Sequence, residues 1–492
     1  MINLRNAKRI AIIGSTIEAW FAALTFRRIS STEVEVIVYD DEQKISQGLG
    51  AGSLPVLSAA LQANQINIDE FAFASDLTIK LGSSFENWRH SGDNDVFFHL
   101  FHGFNQGVEE LDVIANRTYP FLAGRIAKNI DLVGFYPGFS MFTQNIPQVQ
   151  ANLILGARKS GLIPSYHFDV QKCVNYLKNI AIGRGVKHQI MKVHKLVLDD
   201  EGNTTALNTD LGDINVDFVV DAADTKRLSL GEAYKSKWHS LKEQFPINRV
   251  LQFNVEPAMV NPRLYTRAIA MKCGWLQLVP LKNHISASYF LTSKYTSDEA
   301  ALKEAADLLE QKITFANPVD LDQGYFESNW HKNTLAVGPA VGFIEPLVSA
   351  SLAQFFSLIY KVEQAVIEGH GIIGETTIAA INKDHAKTFN EIADFTRLHY
   401  ETQRKDSSFW RDVKKLPRSK TYQELRKVFA ERFPRAADLE NYSGFGWPPL
   451  FVPLDWITVA SAMGIVTPQT ALSELDVMPA EIFEQVNRYL QG

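Results

Sequence analysis

Two short stretches of this chain have the residue types and spacing that chemistry needs. The first is Gly14-Ser15-Thr16-Ile17-Glu18-Ala19, which follows the apolar run Ile10-Ala11-Ile12-Ile13 and opens a helical pattern near Ile17. Strand, glycine turn and helix in that order bring free helix N–H groups to where a phosphate binds. The β-branched run 34–39 then ends on Asp40, about where a carboxylate meets the ribose hydroxyls of a dinucleotide. Of a G-x-G-x-x-G loop only the first glycine is present. Thr16 adds a side chain where the backbone should approach pyrophosphate, Glu18 adds negative charge, and Ala19 still permits close helix packing. A plain structural βα turn is the competing reading. The second stretch sets Lys80 among Leu77, Ile79 and Leu81. If buried there, the lysine has a depressed pKa and serves as hydrogen-bond donor or neutral amine; if exposed, it is an ordinary strand lysine.

The elements that must position these residues need a large core. With 492 residues, 46% of them hydrophobic and 21% charged, the chain exceeds one minimal domain and predicts two or three subdomains around one sheet system. A net charge of -6 and the lack of any Lys/Arg run argue against a nucleic-acid binder. Cys173 and Cys273 are the two cysteines, so neither a disulfide framework nor a cysteine zinc site is proposed, no metal is assigned, and a reducing cytoplasm is the natural setting. Gly14 and Glu18 interrupt the N-terminal apolar stretch, against a signal peptide, and no apolar run reaches the roughly 18 residues of a membrane helix. The expectation is a soluble, cytoplasmic protein that engages neither nucleic acid nor membrane.

Further motifs follow in order. Trp20 comes directly after the glycine loop, and Leu77-Thr78-Ile79-Lys80-Leu81-Gly82-Ser83-Ser84-Phe85-Glu86-Asn87-Trp88 joins the lysine to a Phe-x-x-Trp. Next come His99-Leu100-Phe101, then Tyr166-His167-Phe168-Asp169 with Gly185-Val186, then Gly274-Trp275-Leu276-Gln277-Leu278-Val279-Pro280. Ser293-Lys294-Tyr295-Thr296, Gly342-Phe343-Ile344-Glu345-Pro346-Leu347, Leu398-His399-Tyr400, Phe409-Trp410-Arg411 and residues 450–464 complete the series. Over roughly residues 8–468 this succession resembles the flavin-dependent tryptophan halogenases. The resemblance implies FAD, supplied as FADH2 by a separate flavin reductase, together with oxygen, a halide ion and an aromatic small-molecule substrate. It makes Lys80 the lysine that receives hypohalous acid beside the substrate, and His99 and Phe101 members of the indole pocket. His99 is equally readable as a satisfied histidine in a buried strand. Phe445 and Trp447 either sandwich an aromatic substrate or serve core packing or loop anchoring.

The chain departs from the family pattern at named positions. The second glutamate of Glu-Pro-Leu-Glu-Ser-Thr-Gly, which cooperates with the lysine, is Val348. The halide contacts are backbone N–H groups matched by Ala350 and Ser351, at a helix expected to begin near Ser349, and backbone donors do not depend on side-chain identity. The second Trp of W-x-W-x-I-P is Gln277, G-E-A-T-x-P is Gly50-Ala51-Gly52-Ser53-Leu54-Pro55, and D-C-T-G is Asp221-Ala222-Ala223-Asp224. At the flavin-facing Gly-Asp or Gly-Asn of related flavoproteins stands Gly338-Pro339, where proline brings no side-chain donor or acceptor. FAD is therefore expected to bind more weakly than in members with an intact loop.

The resemblance implies an α/β fold: an FAD-binding, Rossmann-like fold of the aromatic-hydroxylase/halogenase type. Its nucleotide domain would come from residues 1–60, 150–225 and 325–375, its substrate region from 61–149 and 226–324, and a mainly helical C-terminal region from 376–492. A homodimer is the oligomer considered. Three classes of function stay open: an FADH2-dependent halogenase of indole or another electron-rich aromatic, a flavoprotein of different oxidative chemistry, and a non-catalytic paralogue.

Overall fold

The structure, a computed structural model, describes all residues except 43–47, 91, 93–94, 103–107, 145, 158–159, 258–261, 315, 445–447 and 492, and only the backbone of 108–117, 137, 142–143 and 491. Phe445 and Trp447 thus lie outside the described residues.

Apolar runs too short for helices form a six-stranded sheet in the order Trp330–His331, Thr334–Ala336, Phe218–Asp221, Arg9–Ile13, Glu35–Asp40, Lys187–Ile190. All pairings are parallel except that of the first two strands. Strands buried on both faces are uniformly apolar, as in Ile10 to Ile13 and Val36 to Tyr39, because helices cover a parallel sheet. Trp20, Phe21 and Leu24 of helix Ile17–Ile29, Leu177 of Val170–Gly183 and Phe355 and Ile359 of Ser351–Glu368 supply that cover in a single core.

A seven-stranded sheet runs Asn317–Asp320, Arg249–Val255, Ile285–Leu291, Gly274–Pro280, Thr266–Met271, Gly82–Glu86, Val96–Leu100, antiparallel save for the parallel pair Thr266–Met271 and Gly82–Glu86. A small antiparallel sheet of Gly50–Gly52, Ser165–Asp169 and Thr78–Lys80 carries the lysine. The C-terminal region is helical, from Glu375–Leu398 through Ala480–Gln491. Its Phe395, Trp410, Phe429 and Trp456 share one core with Phe85 and Trp88, the Phe-x-x-Trp pair. Among the described residues no helix is long and apolar enough to cross a membrane.

Two glycine-type backbones bear on the site. Gly14 has φ +106°, and a Cβ there would stand 2.3 Å from the Ala222 carbonyl oxygen, so the neighbouring strand demands this glycine whether or not a cofactor binds. Ser349 is left-handed (φ 55°) after the short turn Pro346–Val348, and the helix opens two residues on, at Ser351, near the expected start. A left-handed residue cannot lie within the α-helix, which places the start just beyond Ser349.

Candidate active site

Lys80 ends its strand fully buried, and its Nζ donates to Ser349 Oγ at 2.7 Å. The ammonium lies 5.3 Å from the centroid of the Phe101 ring. Burial lowers its pKa from 10.5 to about 7, so the amine is neutral for a large fraction of molecules near neutral pH. The residues expected to bury it do so only in part. Strand alternation turns Ile79 and Leu81 to the opposite face, into a cluster with Leu100, Tyr136 and Met141. The surroundings of the amine are instead Phe101, Ser349, Gly52 and His167. A Cβ on Gly52 would come 3.0 Å from Lys80 Nζ and 3.2 Å from His167 Cδ2, so the absence of a side chain there makes room for the lysine.

His167 is buried between two hydroxyls, Thr266 Oγ1 at 2.9 Å from Nε2 and Thr78 Oγ1 at 3.3 Å from Nδ1. Thr78 gives its hydrogen to the Pro280 carbonyl, so Nδ1 donates to Thr78 and Nε2 accepts from Thr266. Burial, and then the Lys80 charge, hold this imidazole neutral well below its ordinary range. The lysine's neighbours are thus a neutral hydroxyl, a neutral imidazole and an aromatic face.

Val348, in the family glutamate's position, is buried and lines a cleft of about 40 Å³ with Glu18, Gly338, Pro339, Ser351 and Ile392. That volume admits a few waters or a small ion rather than a ring system. Ala350 and Ser351 stand on the same cleft at the N-terminus of an 18-residue helix, whose first N–H groups have no intrahelical acceptor and favour an anion. Glu345, the first glutamate of the loop, also lines the cleft, but its carboxyl is engaged: buried, it accepts from the Tyr400 hydroxyl, its N–H donates to Gln323 Oε1 at 2.8 Å, and burial raises its pKa to about 7.

His99 is also buried, with Nε2 2.9 Å from Asp455 Oδ1, which His102 Nε2 shares at 3.2 Å. Burial would raise the Asp455 pKa, but the two imidazoles outweigh it and hold the carboxyl well below the usual range. Asp455 Oδ2 meanwhile accepts from the Val452 N–H and closes the first turn of helix Pro453–Ala462. His99 therefore ties the strand bearing the pocket to the C-terminal helices, and its ring meets Phe101 edge-on at 6.5 Å.

At the nucleotide end Thr16 caps the helix, its Oγ accepting from the Ala19 N–H at 3.2 Å, and Ala19 is buried. Asp40 is buried and already engaged, by the Glu42 N–H at 2.8 Å and by His188 Nε2 at 3.1 Å. Gly338, with φ 61°, and Pro339 form the turn facing Glu18.

Residues 9–479 match the tryptophan halogenase family. The chain belongs to that family. An uncharacterized protein, y4xG, of Sinorhizobium fredii is 35% identical over all of this chain and 96% of its own length. The tryptophan 6-halogenase SttH of Streptomyces toxytricini is 24% identical, covering 98% of this chain and 94% of the relative. The solved structure of Xcc4156, a flavin-dependent halogenase from Xanthomonas campestris, has 21% identity and a TM-score of 0.81 over 99% of this chain and 95% of that one, a likeness of fold. Within this halogenase-family chain, sequence reasoning passed over Ser349, His167, His102 and Asp455. Ser349 and His167 had a signal, their places in the halide loop and in the motif Tyr166-His167-Phe168-Asp169. His102 and Asp455 had none, since nothing local marks Asp455 as the partner of a histidine 356 positions away.

Proposed function

We propose that this chain is a halogenase-type oxidoreductase that installs a halogen on an electron-rich aromatic ring, of the indole or phenol class, using reduced flavin from a separate reductase, oxygen and a halide. The observation that supports it is Lys80: a desolvated amine near the midpoint of its titration at neutral pH, hydrogen-bonded to Ser349 and set against Phe101. As an ammonium it donates a hydrogen bond to hypohalous acid; as a neutral amine it is nucleophilic and accepts a proton. Phe101 and His99 contribute the wall of the aromatic pocket. The N–H groups of Ala350 and Ser351 would hold the halide.

FAD, when bound, supplies the activation of oxygen that halide oxidation requires. It would be held between the Gly338 turn with the start of the helix Ser351–Glu368 and the loop of Gly14, Thr16 and Ala19 with Asp40. The helix start suits an anion, and Glu18 lies across the space between loop and turn. With Val348 in place of a carboxylate, no acid at that position polarises hypohalous acid or removes the ring proton, so only rings that need little help should react.

The test supplies photoreduced FAD with chloride or bromide separately to the full chain and follows products by mass spectrometry for indole, a phenol and free tryptophan. Halogenated indole or phenol with little halogenated tryptophan is expected; robust tryptophan chlorination contradicts the substrate class. The buried Val348 favours a second reading, binding without turnover. Reduced-flavin binding with no product from any substrate would establish that one instead.

A further inference from the structure

On the flavin reading above, we infer that Glu18 is a built-in occupant of the diphosphate end of the flavin cleft, so that this chain admits FAD only by displacing its own carboxylate. Glu18 lies in the first turn of helix Ile17–Ile29, the positive end of the helix dipole and the part of a nucleotide loop that would face pyrophosphate. Thr16 Oγ takes the Ala19 N–H at 3.2 Å, and the Glu18 carboxyl lies in the same first turn. One of the donors a phosphate would seek is thereby satisfied within the chain.

The side chain crosses the cleft as well. A Cβ placed on Gly338 would be 3.1 Å from Glu18 Cγ and 3.2 Å from Cδ, so the glutamate lies directly over Gly338 and bridges the glycine turn to the Gly338–Ala340 turn. That turn packs against Asp224–Lys226. There Asp224 adopts a left-handed backbone (φ 55°), and its charge acts on Glu18 in addition to the burial that raises the Glu18 pKa. An anionic diphosphate entering here meets Glu18 where the helix should be bare and Asp224 beside it. The space Glu18 fills over Gly338 and the Ala19 N–H already taken by Thr16 oppose it, whereas a flavin lacking the diphosphate has no reason to displace Glu18.

Titration of the full-length wild type, Glu18→Ala and Glu18→Gln with oxidised FAD and with riboflavin, read by flavin fluorescence and accompanied by circular dichroism, tests this. Glu18→Ala should tighten FAD binding about tenfold or more and Glu18→Gln by part of that, with riboflavin affinity unchanged. Equal FAD affinity in wild type and both variants, or an equal gain for riboflavin, overturns the role of Glu18 and leaves the flavin reading intact. Failure of all three folded proteins to bind FAD at about 100 µM overturns the flavin reading and the inference with it.

Discussion

Lys80 concentrates the chemistry into one group whose protonation is set by burial. Its folded pKa, about 7, lies below its ordinary 10.5. Between those values the unfolded chain holds more protons, so this group's contribution to stability rises with pH across that window, and its penalty is fullest below pH 7. Lys80→Met should therefore raise the melting temperature most at or below pH 7, with the gain shrinking toward pH 10, for a maximum on the order of several kcal/mol. A gain independent of pH would mean that Nζ is not desolvated. Val348 is the complementary residue, placed directly before Ser349, the lysine's partner. Val348→Glu should raise halogenated product per flavin oxidised several-fold, at a cost of roughly 1–3 kcal/mol for a carboxylate set among Phe389 and Ile392. Unchanged or lower yield, measured by mass spectrometry against flavin consumed, would show that the halogen does not pass this loop. The sequence carried the identity of both residues, but not the left-handed Ser349 that turns its hydroxyl to the lysine, because nothing local requires φ 55° of a serine.

At the scale of elements, the apolar runs that form the central parallel strands were legible, since continuous burial leaves a continuous apolar signal. The glycine turn was legible as a turn and ambiguous in purpose. Its geometry resolves one part: Gly14 is required by the Ala222 carbonyl of the adjacent strand. Gly14→Ala should accordingly lower stability by roughly 2–3 kcal/mol, seen as a fall in the urea midpoint already without added flavin. A neutral substitution would show that the two strands can separate at that point. The strand carrying Lys80 was misread in its facing, because the neighbours that surround a strand residue are those across the sheet and not those beside it in sequence. Gly52, which leaves space for the amine, belongs to a strand paired with Ser165–Asp169, and no local pattern connects it to Lys80.

Over the whole molecule, the site is assembled from contacts that span the chain: Lys80 with Ser349, His99 with Asp455, Glu18 with Gly338. Order of motifs sufficed for family and fold because those depend on many weak matches, while the pairings depend on how the sheets and the helical C-terminal region meet. The central sheet draws its strands from residues near 10, 40, 190, 220 and 335, so segments far apart in sequence meet in it. The central claim is that the buried amine of Lys80 is where halogen meets the ring. Wild type and Lys80→Ala, matched for fold by circular dichroism and for FAD affinity by titration, should be compared for halogenated indole under the same reductase-supplied FADH2 and bromide. Product from the wild type and none above background from Lys80→Ala is the expected result, and equal turnover by the two proteins would contradict it.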